Sequence, residues 1–235
     1  MLTLLALSPN ALALSCMWGV HDANVRDLAV PPNVEIAVAY TGGSADEVEL
    51  QLLDANGAPV TFTATSDYSH AVMVPDQPLP AGAYDVIGAD YGLSFTVEGV
   101  DDTTAPADPF FVVERERSTS EWGTEKLLLL ELEGATPGEH YEIEIATDDA
   151  FSDAQRVLGM YDSAIVGQSL CDTNVADYDH GTDYFVRVRT VDLAGNRSAW
   201  VEQEPAPRGL GCDAVGGAAA GVWLLGLFAV AGRRR

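Results

Sequence analysis

Along most of the chain, apolar and polar residues alternate with a period of two, and Gly, Pro, Asn or Asp interrupts each run before it reaches helical length. Such runs cover residues 34–40, 48–53, 60–64, 71–74, 84–87 and 93–97, which predicts six half-buried strands within about 70 residues. In VELQLLDANGAPVTFTAT, Asn56-Gly57 is expected to supply the positive φ angles of a tight hairpin turn, after which Val60, Phe62 and Ala64 resume one alternating strand. A second series predicts strands at residues 110–113, 126–132, 141–147, 155–160, 184–191 and near 199–202, with 163–180 read as an insertion. The polar, proline-punctuated stretch VDDTTAPADP between the two series reads as a linker. The expected fold is therefore all-β, with two β-sandwich domains at residues 16–99 and 110–208 joined by linker 100–109.

The two ends follow different patterns. Residues 1–15, MLTLLALSPNALALS, combine an apolar core with a small-residue cleavage site, either Ala11-Leu12-Ala13 or Ala13-Leu14-Ser15, and read as a secretory signal peptide without the usual preceding basic residue. Residues 209–235 read GLGCDAVGGAAAGVWLLGLFAVAGRRR, in which 214–232 form 19 uncharged residues, long enough for a transmembrane helix. Arg233, Arg234 and Arg235 close the chain, and by the positive-inside rule they place residues 16–212 outside the membrane.

Charge and cysteines narrow the function classes. The formal net charge is −24, and residues 16–212 hold 9 basic and 35 acidic side chains. Such a surface repels phosphate backbones, which argues against nucleic-acid binding; it suits a soluble exported domain, or one that attracts divalent cations or basic partners. Hydrophobic residues make up 47% of the chain, enough for packed cores. The three cysteines are Cys16, Cys171 and Cys212.

Gly211-Cys212, a spacer, an apolar segment and a terminal arginine cluster resemble the MYXO-CTERM sorting tail of bacterial surface proteins. The resemblance covers residues 209–235 and implies processing near Cys212 and display at the cell surface or outer membrane; a retained single-pass anchor gives nearly the same topology. With Cys212 in the tail, Cys16 and Cys171 remain as a disulfide pair in an oxidising compartment, ranked above lipidation of Cys16 because Ala13 stands where a lipoprotein signal usually has leucine. The phrase LPAGAYDV (residues 79–86) looks like a tyrosine corner, with the Tyr84 hydroxyl bonding an upstream backbone group. On it, residues 30–98 resemble bacterial Ig-like domains, including a copper-resistance-like group that binds metal through an N-terminal histidine. GTDYFVRVRTVDLAGNRSAW (residues 181–200) resembles the end of a fibronectin type III domain, with Tyr184 as its corner and DLAGNRS as the loop to the last strand. The preceding linker resembles the Asp-x-Thr-Ala-Pro joints found before such modules.

Chemistry-bearing motifs are sparse. No nucleophile elbow, zincin motif, phosphate loop or Cys-x-x-Cys pair occurs, and Lys126 is the only lysine. His21, His70, His140 and His180 fall singly, and no cofactor or catalytic residue is expected. The run Asp177 to Asp183 fails as a calcium loop because glycine arrives one position early and Val188 stands where a bidentate glutamate is needed; Asp148, Asp149 and Asp153 form another acidic loop, and Asp101 and Asp102 a third. Glu142 and Glu144 share one face of a strand, opposite Tyr141, Ile143 and Ile145, and are expected to be solvated. The reading is a non-enzymatic cell-surface binding, adhesion or scaffold module, with a protein or surface polysaccharide as ligand. The rival is an exported metal-handling protein for calcium or copper, the copper form requiring Met17, His21 and His70 to converge.

Overall fold

In a computed structural model the described residues are 19–41, 49–66, 70–88, 91–120, 123–133, 136–160, 162–168, 178–203 and 205, and they form strands joined by turns and loops, with no helix among them. The signal segment, the three cysteines, Gly211 and the tail with Arg233, Arg234 and Arg235 lie outside the described residues, as does the expected transmembrane segment. Among the described residues no helix is long and apolar enough to cross a membrane.

The first half builds two sheets. One has the order β1-β3-β7-β6, from β1 (Gly19–Ala23), β3 (Ile36–Thr41), β7 (His70–Pro75) and β6 (Phe62–Ser66). The other has the order β2-β9-β8-β4-β5, from β2 (Ala29–Val30), β9 (Tyr91–Val97), β8 (Gly82–Gly88), β4 (Gln51–Asp54) and β5 (Pro59–Val60). All pairings are antiparallel except β2 with β9, which is parallel. The period-two pattern explains the packing: Leu93, Phe95 and Val97 of β9 turn inward with Tyr84 and Val86 of β8, against Ile36, Val38, Tyr40 and Met73 of the facing sheet. Full burial of each such aliphatic or aromatic side chain contributes about 1.5–3 kcal/mol. The Tyr84 ring stacks on Phe95, and its hydroxyl donates to the Pro80 carbonyl at 2.9 Å, which pins the entry into β8.

Two expectations change here. The run through Val60, Phe62 and Ala64 is two strands: β5 pairs with β4, whereas β6 pairs with β7, so the chain changes sheets at Thr61. The turn before it is also longer than a two-residue hairpin. Only Gly57 has positive φ (75°), and the Asp54 carboxylate accepts from the amides of Asn56 and Ala58 in place of a second left-handed residue.

The second half builds a three-stranded sheet, β10-β11-β14, from β10 (Phe110–Ser120), β11 (Gly123–Glu133) and β14 (Ser163–Gln168). Facing it is a four-stranded sheet, β13-β12-β15-β16, from β13 (Gln155–Gly159), β12 (His140–Ala146), β15 (Phe185–Val191) and β16 (Val201–Gln203). Phe111, Val113, Leu128, Leu130 and Leu132 meet Tyr141, Ile143, Ile145, Val186 and Val188 in a core separate from the first. The segment 163–180, expected to be an insertion, begins with strand β14, and β10 runs seven residues beyond its expected end at Val113. The Tyr184 hydroxyl accepts from the Asp179 amide at 3.0 Å, and its ring stacks on Tyr178. Residues 98–109 contain no strand.

Candidate functional site

Strand β12 is buried on both faces, although its sequence alternates carboxylates with apolar residues. Tyr141, Ile143 and Ile145 fill the core, but Glu142 and Glu144 on the opposite face are only 3% and 6% exposed. The expected solvated strand face is therefore wrong. Register supplies the reason: β15 sets Arg189 opposite Glu142 and Arg187 opposite Glu144, while β13 sets Arg156 on the other side of Glu144.

The resulting ladder is continuous. Arg156 donates to Glu144 Oε1 at 2.9 Å, and the Arg187 Nε donates to Oε2 at 2.8 Å. Arg189 reaches Glu142 Oε2 through both Nε and Nη2, while the Arg197 Nε donates to Oε1 at 3.1 Å. Trp200, just before β16, meets two guanidinium groups, with Arg187 at 4.8 Å and Arg189 at 4.3 Å from the ring centroid, and Phe151 also lies against Arg187 at 4.2 Å. The aromatic rings exclude water from the arginine faces, while the guanidinium edges stay bonded to carboxylates.

Arg197 carries the ladder into the first sandwich. Its Nη2 donates to both carboxylate oxygens of Glu35, at 3.1 and 3.2 Å, and the Glu35 side chain is only 8% exposed. The backbone closes the same joint. The Glu35 amide donates to the Leu193 carbonyl at 2.8 Å, and the Asn24 side-chain amide donates to the carbonyls of Glu35 and Gly138. Leu193 packs on the first core. The loop at residues 192–196, expected only as a connection to the last strand, is thus the contact surface between sandwiches. Asp192 shapes it by accepting from the amides of Ala194 and Asn196. Gly195 sits at φ 76° so close to Glu35 that a Cβ would lie 2.6 Å from Oε2. The linker is held from both sides, since the Asp102 carbonyl accepts from the side-chain amides of Asn33 and Asn196.

Electrostatics separates the carboxylates. Burial pushes Glu35 above its ordinary value despite the pull of Arg197, and the charges of Glu142 and Asp192 push the same way. Burial also opposes the charge on Glu142, but Arg189, Arg197 and Arg156 together outweigh it and hold that carboxyl low; Arg156 and Arg187 do the same for Glu144. His140 caps the ladder at the joint. It is fully buried, neither ring nitrogen has a hydrogen-bond partner, and Nε2 lies 3.7 Å from Glu35 Oε1. Burial, with Arg197 and His70 adding to it against the opposing charge of Glu142, pushes its pKa down to about 4.

His21 belongs to β1 and His70 begins β7, on either side of β3; Met17, named with them, lies outside the described residues. In the acidic run before β15, Asp179 accepts from Gly181 and Thr182, and Asp183 pairs with Arg115. Asp148 accepts from Ala150 and Ser152, while Asp153 accepts from Thr147. Among the described residues no group of three or more His, Cys, Asp or Glu side chains is arranged to hold a metal ion. A surface groove of about 440 Å³ beside the linker is lined by residues that include Pro31, Glu98, Val100 and Asp101, and no ladder residue borders it. The residues that sequence reasoning missed are Asn24, Glu35, Leu193 and Arg197. Only Arg197 carried a signal, as a third arginine following the alternating Arg187 and Arg189.

No protein-family model matches the chain, and no curated protein sequence does. Among solved structures it is similar to a chain of a cytokine receptor complex, at 14% identity, covering 76% of this chain and 95% of that one, with a TM-score of 0.28. It is also similar to L,D-transpeptidase 3 from Mycobacterium tuberculosis, at 13% identity over 65% of this chain and 79% of that one, TM-score 0.28. An L,D-transpeptidase in complex with imipenem matches at 12% identity over 64% and 80% of the two chains, again at 0.28. At that TM-score none of these likenesses bears on what this chain does.

Proposed function

We propose that the chain is a non-catalytic, exported surface protein in which two sandwiches form one stiff display unit, held at the cell surface by its C-terminal tail. The observation that carries this reading is the position of Arg197, bonded at once to Glu142 within the second sandwich and to Glu35 of the first. A joint made of an arginine bonded to a carboxylate of each sandwich, backbone hydrogen bonds and a packed leucine opposes bending, which suits a module that holds a binding surface away from its anchor. The order β1-β3-β7-β6 facing β2-β9-β8-β4-β5 supports an Ig-like first domain. The order β10-β11-β14 facing β13-β12-β15-β16, with the Tyr184 hydroxyl bonded upstream, supports a fibronectin type III-like second domain. The ligand is a protein or a surface polysaccharide.

Two measurements test the parts separately. Backbone amide relaxation is expected to give a single rotational correlation time for both sandwiches; two distinct times would sink the stiff-joint reading. Intact-mass analysis from a host with the sorting system is expected to show a mature form without residues 1–15 and without the tail beyond Cys212, with Cys16 and Cys171 alkylated only after reduction. A retained leader would remove export from the account.

A further inference from the structure

Among the described residues the outer face of the β10-β11-β14 sheet shows no carboxylate–arginine ladder like that on β12. There Phe110, Val112 and Ile165 are 61%, 37% and 44% exposed, and Leu129 is half-buried. Register sets Val112 opposite Glu131, Glu114 opposite Leu129, and Leu129 opposite Ile165. The apolar side chains therefore form an oblique band from Phe110 through Val112 and Leu129 to Ile165. Glu114, Glu116, Glu131 and Glu133 stand exposed beside the band, and the described residues supply no basic partner to any of them. Arg115 and Arg117 belong to the opposite parity of β10, and the Arg115 side chain is turned to Asp183.

Among the described residues, strand β10 ends its sheet. β10 pairs with β11 over all eleven of its residues without a register shift, and among the described residues β11 is its one neighbour in the sheet order. Strand β10 has no proline, lysine or bulge to distort its edge, and the charges it carries, Glu114 to Arg117, select against an apolar or acidic strand rather than closing the edge to a basic one. A long, regular edge beside an acidic and aliphatic face is suited to main-chain addition of a further strand.

We propose that β10 is a docking edge for an extended basic segment of a partner protein. The segment adds antiparallel to β10, sets aliphatic side chains against Phe110 and Val112, and sets lysine or arginine against Glu114 and Glu116. Main-chain hydrogen bonds give affinity, and the order of basic and aliphatic positions gives register and specificity. A second copy of this chain is a poor occupant, because β10 paired with itself brings glutamates together in a molecule of net charge −24. The proposal names a partner chemistry for the display module and rests on that reading, but its test reads peptide binding and not the stiffness of the joint, so the two fail separately.

The probe is a fluorescein-labelled nine-residue peptide in which threonine alternates with lysine, lysine, valine and isoleucine in that order, as an antiparallel partner of β10 requires. Its anisotropy is titrated with the full-length chain in nonionic detergent. Saturable binding is expected, weakening as salt rises. The double variant Glu114→Lys/Glu116→Lys is expected to lose about tenfold or more in affinity for this peptide and to gain affinity for the same peptide with glutamate in place of lysine. N-methylation of peptide amides on one edge is expected to abolish binding. Circular dichroism melting confirms that the variant is folded, and Val112→Lys provides a second, independent disruption of the band. The proposal is overturned by no anisotropy change up to millimolar peptide. Equal affinity of wild type and charge-reversed variant for the lysine peptide also overturns it, as does sedimentation showing β10 occupied by a second copy.

Discussion

Replacing Arg197 by alanine removes the cation shared between the two sandwiches. Deleting one member of a buried ion pair costs about 3–5 kcal/mol, because the partner is left charged and poorly solvated. Here the figure is discounted twice. The Arg197 side chain is 35% exposed, so solvent screens part of its interaction, and Glu142 keeps Arg189. The loss falls mainly on Glu35, whose carboxyl is already pushed up by burial and whose charge Arg197 favours. A loss of about 2 kcal/mol at neutral pH is expected. The sign of its pH dependence follows from that direction. A carboxyl raised in the folded state costs stability above its folded pKa, and the cost fades as pH falls through that value and is gone below the unfolded one, where the group is neutral in both states. The defect of Arg197→Ala should therefore be largest near pH 7 and shrink toward pH 4. Urea unfolding at both pH values measures it as a shift in midpoint. In a Glu35→Gln background the same substitution should cost about 1 kcal/mol less, which is the coupling energy of the pair. A cost within about 0.5 kcal/mol of zero at pH 7, or an equal cost in both backgrounds, would refute the account of Glu35 as dependent on Arg197.

Two further substitutions probe the ladder. His140 is held neutral down to about 4, so between 6.5 and 4 the unfolded chain takes up a proton that the folded chain refuses. Stability is then lost on acidification, by about 3 kcal/mol over that window; His140→Leu should flatten the wild-type pH profile there while leaving stability near pH 7 almost unchanged, and parallel profiles would count against it. Trp200→Ala removes a ring that meets two guanidinium groups and should lower stability by about 2–3 kcal/mol in thermal unfolding, whereas Trp200→Phe, which keeps an aromatic face, should recover about half.

The legible part of the molecule was the part set by local periodicity. Alternation in β8, β9 and β12 marks strands because each presents one apolar face, the four-leucine run of β11 marks one because turn residues bound it, and Gly57 marks a turn because its φ is positive. Strand β10 was read short because residues beyond Val113 alternate glutamate and arginine, a pattern with no apolar face to detect. β5 and β6 were merged because alternation along the chain does not reveal a change of sheet. The buried ladder failed for a related reason. Alternating glutamates on β12 and alternating arginines on β15 are both visible in the sequence, yet each reads as a solvated face until register sets them side by side. Glu35 had no local signal, since its partner Arg197 lies 162 residues away.

An aliphatic seam could have covered β12 as well, and by general experience at similar stability. What the charged ladder adds is direction. A guanidinium bonds in its plane through a fixed fork, so the contacts of Arg197 with Glu142 and with both oxygens of Glu35 together restrict where the first sandwich can sit. An apolar contact such as that of Leu193 tolerates sliding, whereas a guanidinium bonded along two of its edges to two carboxylates does not. The ladder also places Arg156, Arg187, Arg189 and Arg197 around three buried carboxylates, and those are four of the nine basic residues between positions 16 and 212. The exposed surface is left more acidic than composition alone implies, and the outer face beside β10 is where that excess meets an open strand edge.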